Sequence, residues 1–120
     1  MFGKVRNLFS KTAESHRPPL TETVEDGSVR IEGKTYALRS WSRNGFVVSP
    51  SGPHFSDGDE VSIDVTVPLA GEVLEFSGLA MVSEVDAAHE RLACRFLDIE
   101  RPARAAIDRH FDALEAAETG

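Results

Sequence analysis

The chain has 120 residues, of which 41% are hydrophobic, and a formal net charge of −7. This length suits one domain with a modest core, and the sequence has no apolar run long enough to span a membrane. The acidic balance argues against a nucleic-acid polymer as partner, because binding to that backbone needs a basic surface. The chain has a single cysteine, Cys94, so it cannot form an internal disulfide. Because the sequence also shows no secretory signal, we expect a cytoplasmic protein.

Residues 1–27 are predicted to form an amphipathic segment followed by a linker. Phe2, Val5 and Phe9 recur near helical spacing, with basic residues between and after them. One interpretation is docking to a partner protein or weak contact with an anionic membrane surface. The other is a frayed terminus or a short helix laid on the domain, since so short a helix is marginal alone. The acidic, turn-rich stretch Glu22–Gly27 indicates the linker.

From Ser28 onward the hydrophobic period becomes two, which predicts β-structure. The predicted strands are Ser28–Glu32, Thr35–Arg39, Phe46–Ser49, Val61–Val67, Glu72–Val85 and Arg91–Leu97. Gly33-Lys34 is predicted to form the first hairpin turn, and Ser49–Glu60 a loop. Gly78 marks a bulge or bend in the long fifth strand.

The last predicted element is a helix that packs on the strands. Ile107, Phe111 and Leu114 recur at i, i+4 and i+7 and form one apolar stripe. So many short strands in a small domain usually close into a barrel, which removes exposed edges. We therefore predict a mainly β fold, a six-stranded antiparallel β-barrel with a C-terminal α-helix over residues 28–117. A short tail follows at 118–120.

The sequence offers no convergent catalytic set. The four histidines are far apart and lack metal-ligand spacing. Cys94 lies on a predicted inward face, which favours a structural thiol. Asp57-Gly-Asp-Glu60 lacks the spaced ligands of a calcium loop. We therefore expect a protein that is not an enzyme and that has neither a cofactor nor a metal site.

The stretch Arg39–Val48, Arg-Ser-Trp-Ser-Arg-Asn-Gly-Phe-Val-Val, combines two guanidinium groups, two hydroxyls, an aromatic ring and a glycine at a junction between strands. Gly45 would permit a positive φ or the close approach of a ligand to the backbone. Trp41 has two interpretations of equal weight: a recognition residue that stacks on a base or binds a protein, or a core anchor. Arg39 and Arg43 either form a local anion site or pair with the acidic body of the protein.

Ser40-Trp41-Ser42-Arg43-Asn44-Gly45-Phe46 resembles the second signature of PilZ domains, Asp/Asn-x-Ser-x-x-Gly. The similarity continues through Phe55–Val61, Ala80–Val85 and Leu92–Pro102, and it covers about Ser28–Leu114. PilZ domains are bacterial six-stranded barrels, and many of them bind cyclic di-GMP. The resemblance implies a PilZ-like barrel in cyclic-di-GMP signalling.

Two departures from the PilZ pattern concern the ligand. Position 40 is serine, where the family has a carboxylate or amide that accepts hydrogen bonds from guanine. The family's Arg-x-x-x-Arg motif before the first strand is absent, because Arg17 has no arginine four residues before or after it. Arg91 and Arg95 repeat that letter pattern but are predicted to lie on an exposed strand face. The loss of one bidentate guanine contact costs about 1–3 kcal/mol.

The resemblance thus implies an adaptor that acts on an unidentified protein partner and binds cyclic di-GMP weakly or not at all. The candidate ligand-binding residues are Arg17, Arg39, Ser40, Ser42, Arg43 and Gly45. The candidate protein-interaction residues are Phe2, Val5, Phe9 and Trp41. One alternative is a functional cyclic-di-GMP receptor in which Arg17, with Arg39 or Arg43, replaces the missing pair. A less favoured alternative is a barrel that binds single-stranded nucleic acid.

Overall fold

The computed structural model describes residues 20–49, 55–69 and 71–119, with the backbone alone at 118 and 119. Within them, six strands precede one helix. The elements are β1 (Glu22–Ile31), β2 (Lys34–Ser42), β3 (Gly45–Ser49), β4 (Glu60–Leu69), β5 (Glu72–Asp86), β6 (Arg91–Ile99) and α1 (Arg101–Thr119). Each predicted strand and the predicted helix is present.

The strands form a closed antiparallel barrel in the order β1-β2-β3-β6-β5-β4. β1 closes it by pairing with β4, where Val29 lies opposite Val65 and Ile31 lies opposite Ile63. Closure gives every strand two neighbours, so that no row of backbone groups is left as an open edge. The predicted mainly β fold is confirmed.

Alternation along the strands fills the barrel with apolar side chains. β4 is the most regular strand, and its buried residues are Val61, Ile63, Val65 and Val67. The helix α1 packs on the barrel through the predicted stripe, where Ile107 and Phe111 are buried and Leu114 is partly buried. Of the described residues, no helix combines the length and apolar character needed to cross a membrane.

β1 begins at Glu22 rather than at Ser28, so the stretch Glu22–Gly27 is strand and the prediction of a linker there is wrong. The turn-forming residues are accommodated by an irregularity. The pairing with β2 shifts between Thr23 and Gly27, and Asp26 has a φ of 65°. A bulge of this kind lets a strand carry residues that are poor strand formers. Pairing with β2 therefore overrides the local sequence preference.

The first hairpin turn and the irregularity in β5 each lie one residue away from the predicted position. The first hairpin turn is at Glu32-Gly33, not at Gly33-Lys34, and both residues have positive φ, 51° and 87°. Two such residues in succession are what a two-residue hairpin with right-handed strand twist requires. In β5 the irregularity predicted at Gly78 falls on the next step, where the pairing with β6 shifts between Leu79 and Ala80.

Candidate functional site

The signature residues Ser40, Ser42 and Gly45 lie on the outer wall of the barrel, where three neighbouring strands meet. β2, β3 and β6 pair so that their residues form two rows: Ser42, Gly45 and Arg95, then Ser40, Val47 and Ala93. These rows, with Thr21 and Asn44, line a groove of about 390 Å³. The strand register therefore places Ser40, Ser42 and Gly45 along one groove.

Ser42 has a structural role in the turn between β2 and β3. Its Oγ accepts a hydrogen bond from the backbone N–H of Asn44 at 3.2 Å, an arrangement that serine commonly makes in turns. A hydroxyl can accept one hydrogen bond and donate another. Ser42 therefore stabilises the turn and can still donate into the groove.

Gly45 is required by the contact between β3 and β6. Its φ is not positive, unlike that of Gly33. A Cβ at this position would overlap the carbonyl oxygen of Cys94 and lie 3.1 Å from the Cα of Arg95. Of the two possibilities that glycine permits here, a positive φ is not observed, and the close approach to the backbone is made by the neighbouring strand β6.

Arg43 is held by the helix. Its guanidinium lies 3.3 Å from Asp108, 2.9 Å from Asp112 and 3.1 Å from Glu115, and its backbone carbonyl accepts a hydrogen bond from Arg104. The hydrogen bond to Asp112 raises the pKa of Arg43, with partial burial opposing it. Of the two interpretations of Arg43, pairing with acidic residues is the one observed.

Trp41 is a core residue. Its side chain is 1% exposed and packs edge-to-face on Phe111, with ring centroids 5.0 Å apart. Its Nε1 donates a hydrogen bond to Glu22 at 2.9 Å, and His110 Nε2 lies 2.8 Å from the same oxygen. The indole therefore anchors α1 to the barrel, and of the two interpretations of Trp41 the core anchor is the one observed.

The remaining predicted site residues fall into two groups. Arg39 is exposed on β2 and does not line the groove, whereas Ser40 does. The others, Phe2, Val5, Phe9 and Arg17, lie outside the described residues. Thr21, near the start of the described chain, lines the groove.

Arg95 is the groove residue that the sequence analysis missed. It is exposed on β6, opposite Gly45, and lines the groove beside the signature. The alternation of Arg91, Ala93 and Arg95 correctly indicates an exposed face. Alternation does not reveal which strand is adjacent, and the pairing of β3 with β6 is what places Arg95 next to Gly45.

Cys94, which lies beneath the groove, is not a reactive thiol. Cys94 is 3% exposed, and burial raises the pKa of its thiol to about 12. The thiol therefore stays protonated near neutral pH and is a poor nucleophile. Among the residues that the structure describes, no three His, Cys, Asp or Glu side chains are arranged to hold a metal ion.

Comparison with known proteins identifies the fold. No protein-family model matches the sequence, and no curated protein matches it. Among solved structures, the Bacillus subtilis inhibitor of motility MotI/DgrA is similar, with a TM-score of 0.67 and 16% sequence identity. MotI/DgrA is a PilZ-domain protein. The fold is PilZ-like.

The match to MotI/DgrA covers 85% of this chain and 52% of that one, so this chain spans about half the length of MotI/DgrA. An uncharacterised Legionella protein is also similar, with a TM-score of 0.51 and 9% identity over 84% of this chain and 99% of that one. At these identities the likeness concerns the PilZ-like barrel alone.

Proposed function

We propose that this PilZ-like barrel is a signalling or adaptor domain of the bacterial cyclic-di-GMP system. It acts chiefly by binding a protein partner in the cytoplasm, without enzymatic activity, and binds the dinucleotide weakly or not at all. The observation that supports this proposal is that the signature residues divide between the groove and the helix. Ser42 and Gly45 remain in the groove, while Arg43 is committed to the helix by three carboxylates.

The weak-binding half of the proposal follows from the donors available. A cyclic dinucleotide presents two phosphates and two guanine edges, which guanidinium groups bind with paired hydrogen bonds. Of the described residues that line the groove, Arg95 is the one cation. Each missing bidentate contact costs about 1–3 kcal/mol, which is roughly ten- to a hundredfold in affinity.

The adaptor half of the proposal is supported by apolar groups on the outer wall. Leu79 on β5 is 39% exposed and Leu97 on the neighbouring β6 is 47% exposed. Both leucines lie on the paired strands β5 and β6, and contiguous exposed apolar side chains are typical of a surface that a protein covers. The amphipathic segment with Phe2, Val5 and Phe9 is the second candidate for contact with the partner.

Calorimetric titration of the full chain with cyclic di-GMP, with amide chemical shifts followed by NMR, tests the proposal. We expect no binding or a dissociation constant weaker than about 10 μM, equivalent to less than about 7 kcal/mol. Micromolar or tighter binding with shifts at Ser42 and Gly45 would overturn the weak-binding half and favour a functional receptor. Arg17→Ala would then show whether the N-terminal tail takes part.

A further inference from the structure

The groove contains a cation that the PilZ signature does not supply. Arg95 lies on the last strand of the barrel, outside both family motifs, and its register places it beside Gly45. We infer that Arg95 binds a phosphate group in this groove, and that the site takes a phosphate-bearing ligand of mononucleotide size. The inference rests on the proposed function, because it concerns the same groove.

The row Ser42, Gly45, Arg95 has the geometry of an anion site. Neighbouring strands lie about 4.8 Å apart, so the Cα atoms of Ser42 and Arg95 are separated by roughly twice that distance. Gly45 contributes no side chain between them. A hydroxyl on one side and a guanidinium on the other can therefore donate to one phosphate above Gly45, and charge-assisted hydrogen bonds of this kind are the strong ones.

Arg95 has no competing internal partner in the described part of the chain. It forms no ion pair there, in contrast to Arg43 with its three carboxylates. The described residues that line the groove include no Asp or Glu. An incoming phosphate therefore displaces water from Arg95 and not a carboxylate. The net charge of −7 opposes anions at long range, and this repulsion is weakened by salt.

The neighbouring row of residues, Ser40, Val47 and Ala93, suits the organic part of such a ligand. Val47 and Ala93 provide an apolar floor next to the phosphate position, and Ser40 borders it with a hydroxyl. The groove volume of about 390 Å³ is near the lower end of the range of roughly 300–1,000 Å³ that is typical of ligand sites. That size fits one nucleotide.

Titration of the full chain with GMP, and with guanosine as the phosphate-free probe, tests the inference at an ionic strength of about 0.15 M, where the long-range repulsion is screened. We expect GMP to bind and guanosine to bind at least about tenfold more weakly, since the phosphate contact is lost. Arg95→Gln should weaken GMP binding by a similar factor. Arg30→Gln is the matched control, because it makes the same charge change at an exposed position on β1 that does not line this groove, and it should leave GMP affinity unchanged. Thermal unfolding of both variants checks that they are folded.

The outcomes separate this inference from the proposed function. Absence of GMP binding at millimolar concentration, or equal GMP affinity in Arg95→Gln and the native protein, would overturn the role of Arg95 and leave the adaptor proposal intact. Micromolar binding of cyclic di-GMP that is lost in Arg95→Gln would support Arg95 and overturn the weak-binding half of the proposal. Arg95→Lys should bind GMP with intermediate affinity, since it keeps the charge but loses the planar fork.

Discussion

The two sides of the β2–β3 turn have opposite character. On the helix side, which comprises Glu22, Trp41, Arg43 and the facing residues of α1, the polar groups satisfy one another. On the groove side, which comprises Ser40, Ser42 and Arg95, the described residues include no carboxylate to pair with the guanidinium. The polar groups of the helix side are therefore paired within the fold, whereas the guanidinium of Arg95 on the groove side forms no ion pair with the described residues.

This contrast arises within one short motif. Successive side chains of a strand point to opposite faces, so Trp41 enters the core while Ser40 and Ser42 face the groove. The motif is therefore composite: Trp41, Arg43 and Gly45 specify the barrel and its helix, and the two serines are available to a ligand. The motif in this sequence is therefore stronger evidence for the fold than for ligand binding.

The largest expected effect is that of Gly45→Ala. The added Cβ would overlap the backbone carbonyl oxygen of Cys94, so β3 and β6 would have to separate. Overpacking of a core by a methyl group typically costs about 1–3 kcal/mol, and a clash with backbone places this variant at or above the upper end. Urea unfolding of the variant, followed by tryptophan fluorescence, measures the loss in the free energy of unfolding.

Gly33→Ala is the control for this substitution. Its Cβ would meet nothing within 4 Å, but the residue has a φ of +87°, so the expected cost is the conformational strain alone, roughly 1–2 kcal/mol. A smaller loss for Gly45→Ala than for Gly33→Ala would contradict the strand contact. The glycine of the motif would then belong to the groove side.

The sequence predicts the barrel well and the site less completely. The buried and exposed faces of β4 follow from alternation, because apolar and polar residues exchange at every step from Val61 to Val67. The extra length of β1 does not, because Glu22–Gly27 has the composition of a loop and becomes strand only by pairing with β2. The position of Arg95 in the groove is not predicted for a related reason, because Gly45, with which it pairs, is distant in sequence. The commitment of Arg43 to α1 likewise depends on contacts between distant parts of the chain.

An intermediate effect is expected for Trp41→Phe. The smaller ring leaves space against Phe111, and the hydrogen bond to Glu22 is lost. Together these changes should reduce the free energy of unfolding by about 1–3 kcal/mol. Glu22→Gln, which keeps an oxygen acceptor for the indole, should cost less. Native stability together with altered cyclic-di-GMP or GMP binding in Trp41→Phe would instead place the indole in contact with the ligand.

The smallest expected effect is that of Arg43→Gln. Its ion-pair partners are between 42% and 70% exposed, and exposed pairs contribute about 1 kcal/mol or less. The loss should shrink from low to high salt, because the screening length falls from about 30 Å at 0.01 M to about 3 Å at 1 M. Arg39→Gln, at an exposed arginine on β2 shortly before the turn that holds Arg43, is the control and should change stability by less than about 0.5 kcal/mol. A loss above about 2 kcal/mol that salt does not reduce would mean that Arg43 acts through packing, and the helix side would then owe its stability to apolar contact rather than to paired charges.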